Sequence, residues 1–139
     1  QIREWLETNG EAIYGTKSWK SSFQWSKGEQ NYKPKQHYLG GDFILKQTVD
    51  PEPGYAVKEL FFTQNKDAYF AIAPKWPEEE MVINDFELAD NATVTLLATG
   101  EVLKSKQMGE NVHISMPVYN PNNMKSTDAY AYAFKITKE

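Results

Sequence analysis

Carboxylates are the most abundant groups in this chain that could do chemistry: 19 Asp and Glu stand beside 15 Lys and Arg, two His and no Cys. Glycoside hydrolysis is a reaction that carboxylates can run by themselves. It needs one acid and one nucleophile or base, about 5–5.5 Å apart for retention or about 6.5–9.5 Å for inversion. The densest cluster, Glu78-Glu79-Glu80, follows Trp76-Pro77 and precedes an apolar run, which reads as a solvated turn. Asp42, Glu59, Asp85, Glu87 and Asp90 are scattered through strand-like and turn-like contexts, and no pair stands out. The two histidines, His37 and His113, form no His-x-His or His-Glu-x-x-His spacing, so no metal site is expected. His113 alternates with Val112 and Ile114, which puts it on the solvent side of a strand. No G-x-S-x-G elbow marks a serine nucleophile. Gly40-Gly41 lacks the Lys-Ser/Thr and helix of a phosphate loop, and no cofactor is implied.

Aromatic rings are the other resource, with 4 Trp, 8 Tyr and 7 Phe. Trp and Tyr faces stack on sugars, and Trp76, flanked by Pro74 and Pro77, is the best single candidate for an exposed sugar-stacking ring. A compact β-sandwich core also consumes aromatics, because each buried ring removes a large apolar area from water. Asn91-Ala92-Thr93 matches the glycosylation sequon, which carries weight only in a chain exposed to that machinery.

The elements that must position these groups change character along the chain. Ile2, Trp5 and Leu6 fall on one helical face, with Arg3, Glu4 and Glu7 on the other. Asn9-Gly10 is a C-terminal stop, with Gly10 expected in the left-handed conformation. From Glu11 to Gln36 the periodicity fades into Gly, Ser, Lys and Gln punctuated by Tyr14, Trp19, Phe23, Trp25 and Tyr32. That is a long connection whose aromatics anchor it to the next domain. From Tyr38 the period becomes two. Runs around Phe43–Leu45, Val57–Thr63, Tyr69–Ala73, Met81–Ile83, Thr93–Leu97, Val112–Met116 and Tyr130–Ile136 are separated by turn residues. Leu60–Thr63 and Tyr69–Ala73 flank Gln64-Asn65-Lys66-Asp67, a hairpin signal. Seven or eight short strands, spaced roughly 8–12 residues apart, predict an all-β fold: an antiparallel, Greek-key-like β-sandwich preceded by a short helix. The expected organisation is residues 1–16 for the helix end, 17–37 for the connection and 38–139 for the sandwich.

A net charge of −4 argues against a nucleic-acid partner, which favours a basic face. The absence of cysteine excludes a disulfide framework, thiolate catalysis and Cys-based zinc sites. No apolar run approaches the roughly 18 residues of a membrane span, so no membrane partner is expected.

The stretch Ile2-Arg3-Glu4-Trp5-Leu6-Glu7-Thr8-Asn9-Gly10-Glu11-Ala12-Ile13-Tyr14-Gly15-Thr16 resembles the segment that closes the catalytic barrel of α-L-fucosidases of glycoside hydrolase family 29, I-x-x-W-L-x-x-N-G-E-A-I-Y-G-T. The family usually continues with R-P-W; here Lys17-Ser18-Trp19 keeps the Trp alone. Ala68–Pro77 is similar to the family's Y-A-I-x-L-x-W-P strand, Val94–Leu103 to its V-x-L-L-G-x-G-x-x-L segment, and Tyr130–Ile136 to its closing strand. Residues 20–60 match least.

The resemblance implies a (β/α)8-type barrel followed by a C-terminal sandwich, with this chain beginning inside the last barrel helix. The family's nucleophilic Asp and acid/base carboxylate belong to the barrel, so no catalytic residue is expected here. Glu11 sits in the most recognisable motif, but a barrel helix ending at Gly10 delivers it to the face opposite the active site, which implies a structural role at the joint. The implied function is a non-catalytic domain that packs against the barrel of a retaining α-L-fucosidase. The alternative is a carbohydrate-binding module recognising fucosylated glycans through exposed aromatics. A periplasmic, extracellular or lysosomal location is implied by the resemblance alone.

Overall fold

The computed structural model of the chain describes residues 2–30, 53–120, 122 and 131–138. Helix α1 (Ile2–Asn9) runs into a single 3-10 turn (Gly10–Ala12) and then into strand β1 (Lys17–Trp25). Eight further strands follow: β2 (Lys58–Gln64), β3 (Ala68–Ala73), β4 (Glu80–Ile83), β5 (Val94–Leu96), β6 (Glu101–Leu103), β7 (Ser105–Met108), β8 (Asn111–Ser115) and β9 (Tyr132–Thr137). They form a six-stranded sheet, β1-β2-β3-β9-β5-β6, and a three-stranded sheet, β4-β8-β7. Every strand pair is antiparallel. The chain crosses between sheets at β3–β4, β4–β5, β6–β7 and β8–β9, and β9 returns to the middle of the larger sheet. The all-β sandwich expected from the alternating pattern is the observed fold.

Alternation explains both layers. Leu60, Phe62, Ala71, Val94, Leu96, Phe134 and Ile136 point from the larger sheet towards Met81, Ile83, Val112, Ile114 and Met116 of the smaller sheet and its flank, making one core. The intervening residues of β3 and β9 are buried as well: Ala68, Phe70 and Ala133 cluster with Ala12 on the opposite face. The larger sheet is therefore apolar on both sides at its centre. The 3-10 turn and helix cover the second side.

The β2–β3 hairpin is as expected. The Asn65 side chain accepts hydrogen bonds from the backbone N–H of Asp67 and Ala68, both at 2.9 Å, in the local Asx geometry that favours Asn in turns.

Two features differ from what the sequence leads one to expect, and one expected strand falls outside the described residues. Residues 17–25, expected within a connection, form an edge strand registered on β2 through Lys17–Gln64 and Phe23–Phe61, with bulges between. The bulges break strict alternation over KSWKSSFQW and hide the strand from a period-two test. Gly10 is not among the left-handed glycines; the positive φ falls at Gly15 instead, at 65°. What Gly10 provides is space, because a Cβ there would lie 2.7 Å from the Tyr14 ring. The strand expected around Phe43–Leu45, together with Tyr32, His37, Gly40-Gly41 and Asp42, lies outside the described residues.

Phe134 is fully buried in the main core, so Phe134→Ala should lower unfolding free energy by about 3–5 kcal/mol in urea denaturation. Val102, 63% exposed, should tolerate Ala within about 0.5 kcal/mol in the same assay.

Candidate functional site

A groove of about 720 Å³ opens where the edges of the two sheets meet, bordered by residues of β1, β2, β4 and β8 and by the Pro74–Glu78 loop. Its floor is built by Gln24. This side chain is only 9% exposed and faces the unpaired edge of β4. Its amide nitrogen donates to the Val82 carbonyl at 2.8 Å, and its amide oxygen accepts from the Asn84 backbone N–H at 2.9 Å. The same nitrogen donates to the Glu59 carboxylate at 2.8 Å. A side-chain amide thus supplies the donor and acceptor that a neighbouring strand would offer, which satisfies an edge that would otherwise carry unpaired groups.

His113 and Glu80 border the same groove. Val82 lies opposite His113 in the β4–β8 register, so Glu80 is its diagonal neighbour, within reach of a long side chain. The His113 Nδ1 and a Glu80 carboxylate oxygen pair directly, on side chains 27% and 51% exposed. As the alternation with buried Val112 and Ile114 requires, His113 is on the outward face of β8. Glu80 opens β4 and so does not belong to a purely solvated turn.

Two tryptophans wall the groove. Trp76 is half-buried, not the exposed ring that its flanking prolines suggested. Tyr119 and Tyr132 meet it edge-to-face, with ring centroids 5.1 and 5.0 Å away, and it packs on the main core. Trp25 stands nearly perpendicular to Phe23, with centroids 5.8 Å apart, and the Lys58 ammonium lies over both rings. The loop enters β4 through Glu78, whose φ of 56° is left-handed, a conformation that costs a non-glycine residue about 1–2 kcal/mol.

A second concavity of about 540 Å³ is lined by Trp19, Tyr69, Phe86 and the Glu87–Asp90 segment. Trp19, Tyr69 and Phe86 contact one another edge-on or tilted at 5.2–6.0 Å between ring centroids, and Lys20 bridges to Asp85 at its rim. Among the described residues, no three His, Asp or Glu side chains are placed to hold a metal ion, and no helix is long and apolar enough to cross a membrane.

Glu11 does not enter either concavity. Its carboxylate pairs with the Lys135 ammonium on β9, on the face that carries Ala133. Beside it the Thr63 hydroxyl donates to the Ala12 carbonyl at 2.6 Å, and the Trp5 indole N–H donates to the Ala131 carbonyl at 3.0 Å. Gln24, Glu59, Asn84 and His113, which the groove brings together, have no common spacing in the sequence. Only sheet register joins them.

A family model described as the alpha-L-fucosidase C-terminal domain matches residues 55–137. Among solved structures, the α-fucosidase of Thermotoga maritima in complex with a mechanism-based inhibitor superposes with a TM-score of 0.59 at 25% identity, over 97% of this chain and 24% of that one. The same enzyme in complex with fucose gives 0.57 at 26%, over 96% and 24%. The alpha-L-fucosidase isoenzyme 1 of Paenibacillus thiaminolyticus shares the fold with a TM-score of 0.56 at 12% identity, over 99% and 25%. The chain thus spans about a quarter of the length of these structures. No curated protein matches.

The polar contacts of the groove differ in worth. Gln24→Ala leaves the β4 edge groups without partners and should cost about 1–3 kcal/mol. Glu80→Gln breaks only a half-exposed pair and should cost less than about 1 kcal/mol. Parallel urea titrations would reveal the reverse order if the groove floor were not structural.

Proposed function

The chain belongs to the alpha-L-fucosidase C-terminal domain family, and from that premise we propose that it is the non-catalytic sandwich of a longer α-L-fucosidase, supporting a catalytic domain in the same polypeptide. The parent's activity, by the same proposal, is hydrolysis of terminal α-linked L-fucose. The observation that carries this function is the outer face of the larger sheet. Helix α1 and the turn after it are fastened there by Trp5, Glu11 and Ala12, yet they leave Ile2 at 78%, Tyr14 at 64% and Ile13 at 43% exposure. Apolar side chains left open along one short segment, here residues 2–14, are what a docking surface shows when its partner is absent. The apolar stripe anticipated for Ile2, Trp5 and Leu6 is therefore divided: Trp5 and Leu6 are half-buried, and Ile2 is turned to solvent.

The carboxylates support a structural role as well. Glu11 is paired by Lys135, Asp85 by Lys20, Glu80 by His113, and Glu59 by the Gln24 amide. Each of these four meets a lysine, a histidine ring or an amide within the fold, where glycoside hydrolysis needs two carboxyl groups facing a sugar across a fixed gap.

Replacing Ile2, Ile13 and Tyr14 together by Ser tests the docking face. In this chain alone the thermal midpoint should hardly move. In a longer polypeptide carrying the catalytic domain it should fall by several degrees, and an unchanged midpoint there would sink the docking role. This chain alone should not turn over an aryl α-L-fucoside. Turnover that disappears in Glu11→Gln would make it catalytic after all.

A further inference from the structure

We propose that the groove floored by Gln24 is a binding site for an uncharged sugar, held between Trp25 and Trp76. It is independent of the docking face on α1, because none of its lining residues belongs to that helix or the turn after it.

Three observations carry the proposal. The first is size and composition. About 720 Å³ lies within the roughly 300–1,000 Å³ of ordinary ligand pockets, which are apolar-walled with a few fixed polar groups. The second is rigidity. Both indoles remain partly accessible, and each is braced by other aromatic rings: Trp76 by Tyr119 and Tyr132, Trp25 by Phe23. A braced ring loses little conformational freedom when a ligand arrives. An indole offers a sugar ring an apolar surface for its C–H face and leaves the hydroxyls to reach polar neighbours.

The third is mixed polarity. Lys27 and Lys75 line the groove together with Glu59, Glu78, Glu80 and the His113 ring. Cationic and anionic groups are interspersed, so the groove has no basic field to draw in an anion. It does offer hydroxyl partners of both kinds. Glu59 keeps a second carboxylate oxygen beside the one that Gln24 uses, and the His113 ring has Nε2 beyond the Nδ1 that meets Glu80. An uncharged polyol with one apolar face suits both the interspersed polar groups and the aromatic walls. Gln24 itself is a positioning residue: its amide is committed to β4 and Glu59, and it fixes the gap between the sheets.

The test is NMR titration of the isotopically labelled full chain with L-fucose, D-galactose, lactose and glucuronic acid as probes. The four indole N–H signals are assigned by single Trp→Phe substitutions. With at least one neutral sugar, the Trp25 and Trp76 indole signals should shift in a saturable way while those of Trp5 and Trp19 stay still. Glucuronic acid should bind no better than the neutral probes. Because Trp76 also packs on the core, the discriminating variants are Trp25→Ala and Glu59→Gln. Both should keep the dispersed spectrum of the folded chain and weaken binding at least several-fold. Absence of saturable shifts up to tens of millimolar neutral sugar would overturn the proposal. So would shifts confined to Trp5 or Trp19, preference for the acid, or undiminished binding in both variants.

Discussion

A sheet that is apolar on both faces cannot stand with only one partner. In this chain the constraint is set by β3 and β9, the central strands of the larger sheet, which bury Phe70 and Ala133 on one side as completely as Phe134 and Ala71 on the other. The three-stranded sheet covers the inner side. Among the described residues, the outer side receives its cover from helix α1 and the 3-10 turn, through buried Ala12. Leaving Phe70 uncovered would expose a large apolar ring, at a cost of about 1.5–3 kcal/mol. The helical segment is therefore part of the sandwich's packing although it contributes no strand. Its small residues make this possible: Gly10 and Ala12 bring the turn's backbone down onto the sheet, and Gly10 has no room for even a methyl group beside Tyr14.

The inner junction follows a different rule. Two sheets facing each other leave free edges, and edges are where strands recruit unwanted partners. Here the edge of β4 is closed by a single glutamine amide from β1. A few residues further on, Gly28 lets the chain lie against the 54–56 segment, where a Cβ would come within 2.9 Å of the Ala56 nitrogen. Glu29 then bridges to Gly54 and Ala56 through backbone hydrogen bonds of 2.9 and 2.8 Å. Because a side chain and not a strand spans the gap, the edges stay apart above Gln24. The groove is the consequence of that spacing, and its walls are the residues that flank the closure.

Most of the fold was legible because it depends on period two. The hairpin at Asn65, the strands of Met81–Ile83 and Val112–Ser115, and the buried alternation of Tyr132, Phe134 and Ile136 all follow directly from side-chain direction in a pleated strand. What escaped had a physical cause in each case. Strand β1 is bulged and mostly exposed, so its apolar residues fall out of phase. Trp76 reads as a surface ring because its neighbours are prolines, but Tyr119 and Tyr132, far away in sequence, close around it. The Glu80–His113 pair depends on the β4–β8 register, and no local spacing encodes a register between strands 33 positions apart. Groove residues supplied by four elements are invisible to any motif for the same reason.

Strand order also determines how the helix is tied to the sheet. The central strand β9 lies between β3 and β5, so the larger sheet stays in two halves until residues 132–137 insert. Trp5 then donates to Ala131, 126 positions away, and Glu11 meets Lys135. Helix α1 is too short to be stable alone, since isolated helices below roughly 12–15 residues are marginal in water, and both of these anchors are made with β9 and the residue before it. The turn after the helix is also held at β2, where the Thr63 hydroxyl donates to the Ala12 carbonyl, so the helical segment ties β2 and β9 together across the outer face. The surface that includes α1 therefore depends on β9 as much as on the helix itself.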